Sequence, residues 1–374
     1  MRVIPSFYIF IGANQMNFKI IFIPIIIFIF ITSSLLINSN NDNKSSDLSM
    51  VSDIKYISKE IGPRPAGSEN EKKTADYLIS KFNSYGVKTE VQEFKYYSMD
   101  TKNIKSSENV IGTINGTSSQ QIIICADLDT VKDKNTGNYT EGANDDVTPL
   151  AVLIGLAKKY QHENPYFTIK LIGFGAGEDP YTFPVNESPR TSLSPEEYNK
   201  IIYIPYLIGA RHYVLENQNS INDTVAVISL EAVGEGTPSF VSQDSFVENN
   251  QSFVDFLVSN ARLNGFNAKK IDFMTFKEPQ GREDPISHIY LPFSYANIPS
   301  TFLTCLENPY INSSVHNDSE MPGYLTVEDN YENLVKNNGG EKQLQEHLES
   351  ILYIVKSSIN KMSIIYALKN HSMT

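Results

Sequence analysis

The stretch "FTIKLIGFGAGED", residues 167–179, changes character part-way along. It opens as an almost unbroken apolar run and closes on Gly175, Ala176, Gly177 and two acids. A short apolar run bounded by glycine is what a strand buried on both faces requires. In α/β proteins, chemistry gathers just beyond the carboxyl ends of such strands. Three more runs have the same form: "QIIICA" (121–126), "TVAVISL" (224–230) and "STFLTC" (300–305).

Helical patterns lie between these runs. In "TPLAVLIGLAKKY" (148–160) Thr148 is the expected cap and Pro149 the first helical residue. "FVDFLVSNARL" (253–263) and "EKQLQEHLESILYIVKSSI" (341–359) repeat apolar residues at helical spacing. Ahead of all four strands, Ser68 and Glu71 have capping-box spacing before Ala75, Leu78, Ile79 and Phe82. This alternation predicts an α/β sandwich around a mostly parallel sheet.

Each expected strand is followed by groups that bind cations. "DLD" brings Asp127 and Asp129, "GED" brings Glu178 and Asp179, and "EAVG" brings Glu231. "GANDD" places Asp145 and Asp146 at the start of a helix, and "VHND" adds His316. One acid after a strand is usually a cap or a turn residue. Several acids and an imidazole on one sheet edge suit zinc or another divalent ion. The net charge of -12 with no Lys/Arg cluster argues against nucleic acid. Cys125 and Cys305 read as small buried hydrophobes, with one bridge between them left open.

The N-terminus carries its own signal. Ile20 to Ile37, "IIFIPIIIFIFITSSLLI", has no charge and is long enough to cross a bilayer. Lys19 and Arg2 precede it, which predicts a single-pass anchor with the bulk of the chain outside the cytoplasm. A cleaved signal peptide is the alternative. The expected organisation is a stub and membrane segment over 1–37, a polar linker over 38–48 and one domain over 49–374. Residues 179–205, rich in Pro, Ser and Tyr, read as an insertion in that domain. Triplets for N-glycosylation at Asn115, Asn138, Asn186, Asn222 and Asn312 fit export but arise readily in an Asn-rich chain.

Taken in order, "EIGPRPAGSENEKKTADYL", "NVIGTINGT", "IICADLDTV", "GANDDVTPLAVLIGLAK", "FGAGED", "LIGARHYV", "ISLEAVG", "NIPSTFLT" and "VHND" resemble the family-28 metallopeptidases of clan MH. That group comprises di-zinc aminopeptidases and carboxypeptidases, with glutaminyl cyclases and the transferrin receptor as relatives. The resemblance implies a three-layer sandwich with a mixed eight-stranded sheet. It also implies a first-metal set of Asp145, Glu178 and His316. The second-metal positions hold Asp127, where the family has His, and Glu231, where it has Asp. Asp129 is the retained acid beside the first of them. The general-base position is Gly177, which has no group to take a proton; Asp179 and Glu231 are the candidate substitutes. A glycine at a strand end also serves a turn with positive φ.

These substitutions give one zinc as the expected cofactor and a peptide or protein as the expected ligand. Three readings follow. The first-ranked is a relative that binds peptide or protein with little or no turnover. Next is an active aminopeptidase with an atypical site. The third is a one-zinc acyltransferase resembling glutaminyl cyclase, a group that carries an Asp where this chain has Ile289.

Overall fold

The structure is a computed structural model and describes residues 48–179, 182–184, 194–204, 206–244, 247–273, 276–277, 283–284, 288–306 and 325–371. The expected membrane segment 20–37 and His316 lie outside these residues. The chain divides between Asp47 and Leu48, and every described residue belongs to the second part.

Helix α1 (Ser49–Lys55) runs on as a wide turn to Ile61. Next come α2 (Glu69–Ser84), a hairpin of β1 (Lys88–Ser98) and β2 (Asn103–Ile114), and β3 (Gln121–Asp127). Then follow α3 (Thr148–Tyr160), β4 (Thr168–Phe174), β5 (Thr182–Pro184) and α4 (Pro195–Ile202). The middle continues through α5 (Ile208–Glu216), α6 (Gln218–Ile221), β6 (Thr224–Glu231) and β7 (Ser239–Asp244). After α7 (Gln251–Leu263) and β8 (Lys269–Phe273), β9 (Phe276–Lys277) and β10 (Glu283–Asp284) form a separate two-residue ladder. The chain closes with α8 (Leu291–Tyr295), β11 (Ser300–Thr304), α9 (Tyr331–Asn337) and α10 (Glu341–His371).

The main sheet runs β5-β1-β2-β4-β3-β6-β11-β7-β8. Its centre, β4-β3-β6-β11, is parallel throughout and consists of the four runs that the sequence marks as strands. Their carboxyl ends are therefore side by side, with Asp127 level with Phe174 and Glu231 level with Thr304. The flanking pairings β1–β2, β2–β4 and β7–β11 are antiparallel, which makes the sheet mixed. Eight strands match the expected sheet. The ninth, β5, is supplied by the insertion and adds three residues to the edge of β1.

The two faces bury different halves of each strand, as a period of two dictates. On β3, Ile122 and Ile124 face a large core with α1, α2, α3, α7 and α10. Ile123 and Cys125 face a smaller core with α5 and α8. Cys125 belongs to the smaller core and Cys305 to the larger, and both thiols are free. The bridge that the sequence left open is thus not formed.

Two caps differ from expectation. Thr148 is the first residue of α3, not its cap; its hydroxyl donates to the Asn144 carbonyl at 2.8 Å. Ser68 caps α2, but Glu71 does not return the bond. Its carboxylate instead accepts from the N–H groups of Gly67 (2.6 Å) and Ala176 (2.7 Å) and from the Ser107 hydroxyl (2.9 Å). Glu71 thereby ties the first helix to the end of β4. The insertion is also more than a loop: α4 has a full capping box from Ser194 and Glu197 and buries Ile201 in the smaller core.

Among the described residues one helix, Glu341–Lys369, is long and apolar enough to cross a membrane. Its apolar stripe is used within the domain: Leu344, Leu348, Ile351, Leu352, Ile354, Val355 and Ile359 all lie in the larger core. Replacing Leu348 with Ala should therefore lower unfolding stability by about 2–5 kcal/mol. Chemical denaturation of the domain without residues 1–47 measures this, and an unchanged midpoint would show that the helix is not a core element.

Candidate metal centre

Three segments meet where the central strands end, beside a cleft of about 470 Å³ lined by Asp127, Asp129, Gly177, Glu178, Asp179, Glu231 and His288, among others. The first is the end of β3. Asp129 turns back and accepts from the N–H of Gly177 (2.8 Å) and of Glu178 (3.0 Å). It fixes the "GED" turn, the position that the resemblance implies for it. The second is the "GANDD" turn before α3, where Asp329 accepts from the N–H of Asn144 (2.7 Å) and of Asp145 (3.0 Å). The third is the end of β6, where Glu231 meets Nδ1 of His288 at 2.5 Å.

Behind the floor stands Arg64, from the "GPRP" of the opening motif, with no exposed surface. It donates to the carbonyls of Leu128 (3.1 Å), Glu141 (2.6 Å) and Gly142 (3.3 Å), and its own N–H donates to the Thr130 hydroxyl (2.9 Å). One guanidinium thus clamps the two acid-bearing turns together.

Carboxylate oxygens of Asp127, Asp146 and Glu178 lie within 4.8 Å of one another. Asp145, which the resemblance implies as the bridging ligand, is buried beside this trio and acts on Asp127 and Glu178 through space. The structure therefore adds Asp146 to the candidate ligands. Asp127 Oδ1, Asp145 Oδ1 and Asp146 Oδ1 are all buried with no hydrogen-bond partner. Buried acceptors are normally satisfied, and a group of carboxylates without donors fits a divalent cation. Asp127, Asp146 and Glu178 fit zinc on that ground, with Asp145 buried beside them.

The remaining candidates have other partners. Asp179 accepts from Tyr96 (3.0 Å), Ser98 (3.0 Å) and Lys105 (2.7 Å), so both its oxygens are bound to the β1–β2 hairpin. That removes Asp179 as a substitute base. Glu231 faces His288, a residue that nothing in its local sequence singles out. His288 is 2% exposed and stacks on Phe302 with ring centroids 4.0 Å apart. The glycine at 177 is also explained differently from a turn. The positive φ at this strand end belongs to Ala176, at 53°. A Cβ at 177 would lie 2.2 Å from Asp127 Oδ1, so a side chain there requires that carboxylate to move.

The sequence signature of peptidase family M28 matches residues 109–346. The chain belongs to peptidase family M28. Among curated proteins it is 29% identical over 131 residues to the alkaline phosphatase isozyme conversion protein of Escherichia coli, covering 31% of this chain and 38% of that one. It is 25% identical over 173 residues to the uncharacterized YfbL of the same organism, covering 44% and 52%. The chain thus spans about a third to a half of these curated relatives. The fold is similar to a Zn-dependent exopeptidase from Parabacteroides distasonis, with TM-score 0.60, 18% identity, and coverage of 83% of this chain and 98% of that one. It is also similar to a glutaminyl cyclase from Tannerella forsythia (0.59; 18%; 83% and 98%) and to a zinc aminopeptidase from Bacillus subtilis (0.56; 15%; 84% and 95%).

Burial, reinforced by mutual repulsion, holds the carboxyls of Asp127, Asp145, Asp146 and Glu178 well above the usual range. Burial also pushes Asp129 to about 6, Asp329 to about 7 and Glu71 to about 8. Each raised carboxyl holds a proton in the folded chain that the unfolded chain releases near pH 4. Stability of the metal-stripped protein should therefore fall as pH rises from 5 to 8. Zinc should flatten that profile, because it replaces the protons as counter-charge. Thermal midpoints across this interval, with chelator and with zinc, test this; a rise with pH in chelator would contradict it.

Proposed function

We propose that this chain is a one-zinc member of the family that hydrolyses peptides from an end, through an atypical site. The observation that carries the reading is the group of buried, unpartnered carboxylate oxygens of Asp127, Asp145 and Asp146, of which Asp127 lines an open cleft together with Glu178. A structural ion is normally closed in by protein, whereas a catalytic one keeps a position open to substrate. Asp127, Asp146 and Glu178, with Asp145 beside them, would hold the ion, with His316 as the nitrogen ligand that the family resemblance implies. When bound, zinc supplies a Lewis acid that polarises a carbonyl and makes water more acidic. Asp129 orients Glu178 through the two strand-end N–H bonds, and the carboxylate end of Asp179 is held away by the hairpin.

Peptide binding without turnover is the second reading, favoured by the absence of any side chain at Gly177. The cyclase reading loses ground: Ile289 is 2% exposed and packs in the smaller core, so no polar group from that position reaches the cleft. Attachment to a membrane through residues 20–37, with the domain outside the cytoplasm, belongs to the same proposal. Fractionation of the full chain, with and without that segment, tests it.

The decisive experiment is zinc content per chain, measured with hydrolysis of a panel of short peptides blocked at one end or the other. The expected result is one zinc, slow hydrolysis that chelator abolishes, and loss of zinc in His316→Ala. One zinc with no hydrolysis would establish the binding reading. Two zincs with fast hydrolysis would show that the Glu231 side also holds metal.

A further inference from the structure

One wall of the cleft carries positive charge. Between β3 and the turn before α3 the chain folds into a short hairpin, residues 131–140, which brings Lys132, Lys134 and Tyr139 to the cleft. The hairpin is held from inside by the buried Asp133. Its Oδ1 accepts from the N–H of Asn135 at 2.7 Å and its Oδ2 from that of Val327 at 3.1 Å. The Asp133 N–H donates to the Asn138 carbonyl (2.8 Å) and the Thr140 N–H to the Val131 carbonyl (3.1 Å). Lys132 and Tyr139 are antiparallel bridge partners, so their side chains share one face of the hairpin. Lys132 Nζ lies 5.9 Å from the centre of the Tyr139 ring. Among the described residues, neither the Lys132 ammonium nor the Tyr139 hydroxyl makes a hydrogen bond or an ion pair. The charged groups around them are engaged: Lys105 with Asp179 at 2.7 Å, Glu231 with His288, and Asp129 with two strand-end N–H groups. Asp100 is the exposed acid of the described lining, and its charge opposes an anion there.

We infer that Lys132 and Tyr139 form a carboxylate-binding subsite that selects anionic peptides, through either a free C-terminus or an acidic side chain. This rests on the reading of the cleft as a peptide site. An ammonium has donors only, and a phenol hydroxyl can donate beside it, so the pair suits an acceptor. Charge-assisted bonds from such donors favour an ionised oxygen over a neutral amide. A peptide ammonium meets the opposite situation: away from the metal group, the described acids of the lining other than Asp100 already have partners. The hairpin fixes both donors before a ligand arrives, which lowers the cost of ordering them. Lys132 is exposed, so solvent and salt screen its charge and the selectivity is modest and salt-dependent. Both residues position the peptide and take no part in breaking a bond.

Five zinc-loaded proteins, each the full chain in detergent, test the inference: wild type, Lys132→Met, Lys132→Arg, Tyr139→Phe and Asp100→Asn. The probes are tetra-alanine with a free C-terminus, its C-terminal amide, and that amide with the third alanine replaced by Glu or by Gln. Calorimetry gives Kd for a peptide left intact, and steady-state kinetics gives KM for one that is cleaved. Wild type should favour a carboxylate peptide over its neutral counterpart about 5–10-fold, and less so in high salt. Lys132→Met should remove that preference by weakening the carboxylate peptide alone, while Lys132→Arg keeps it. Tyr139→Phe should reduce the preference and Asp100→Asn should increase it, with zinc content and thermal midpoint as in the wild type. Preference for the free acid over the amide identifies the C-terminus as the ligand, and preference for Glu over Gln identifies the side chain. Equal binding of charged and neutral peptides by the wild type would overturn the inference, as would a Lys132→Met protein that keeps the preference or weakens all four peptides alike. Hydrolysis without charge preference refutes this subsite alone. Charge preference without hydrolysis refutes the hydrolytic reading alone, and binding of none of the four refutes both.

Discussion

The whole site depends on keeping negative charge buried. Asp127, Asp129, Asp145, Asp146 and Asp329 are all buried and crowd one end of the sheet. Isolated carboxylates in such surroundings are strongly disfavoured. One fixed positive charge, Arg64, sits behind them, and its field acts on Asp329, Asp146, Asp129 and Asp145. Its hydrogen bonds go to the carbonyls of the turns and not to the acids. The guanidinium therefore holds the turns in place without neutralising any single carboxylate, which leaves the acids free to face the cleft. One cation against five acids is too little, and the unpartnered oxygens of Asp127, Asp145 and Asp146 mark where a second belongs. Replacing Arg64 with a neutral residue would remove the clamp and the counter-charge together, a loss of both fold and site.

The central sheet was legible because its strands are buried on both faces. Such strands read as continuous apolar runs, and β3, β4, β6 and β11 all do. β1 was not legible: most of its first half is exposed, so its residues carry little apolar pattern until Phe94, Tyr96 and Ser98 turn inward. β5 was hidden in the insertion, since three residues added to a sheet edge leave no periodicity. The places of Asp129 and Glu178 just after strands were legible, and there Asp129 accepts from the N–H groups of Gly177 and Glu178. Arg64 carried no such mark; "GPRP" reads as a turn, and only the packed structure shows that its arginine reaches across to residues 128, 141 and 142.

His288 and the reason for Gly177 were out of reach for a related cause. Both depend on contacts between distant parts of the chain: His288 with Glu231, and Gly177 with Asp127. A sequence shows a glycine at 177 but not that the Asp127 carboxylate lies against it. The same limit affected Glu71, whose spacing from Ser68 suggests a local capping box. Its carboxylate was instead taken by Ala176, more than a hundred residues away. Local rules failed here where a tertiary acceptor offered better partners than the local backbone.

The two positions where the family resemblance implies second-metal ligands, 127 and 231, each have defined surroundings in the fold. A shorter side chain at 127 draws the ligand group back toward the strand end, into the space that glycine leaves at 177. A longer one at 231 carries its carboxylate to His288, which is locked by its stack on Phe302. Random decay of a metal site would leave orphaned groups at both positions. Glu231 instead has a specific, buried partner, and Asp127 fits a vacancy that exists only because residue 177 has no side chain. Of the two, only Asp127 keeps an oxygen without a partner, and it is the one beside Asp146 and Glu178. The two groups thus differ in their surroundings: Glu231 meets a buried imidazole, and Asp127 lies beside Asp146 and Glu178.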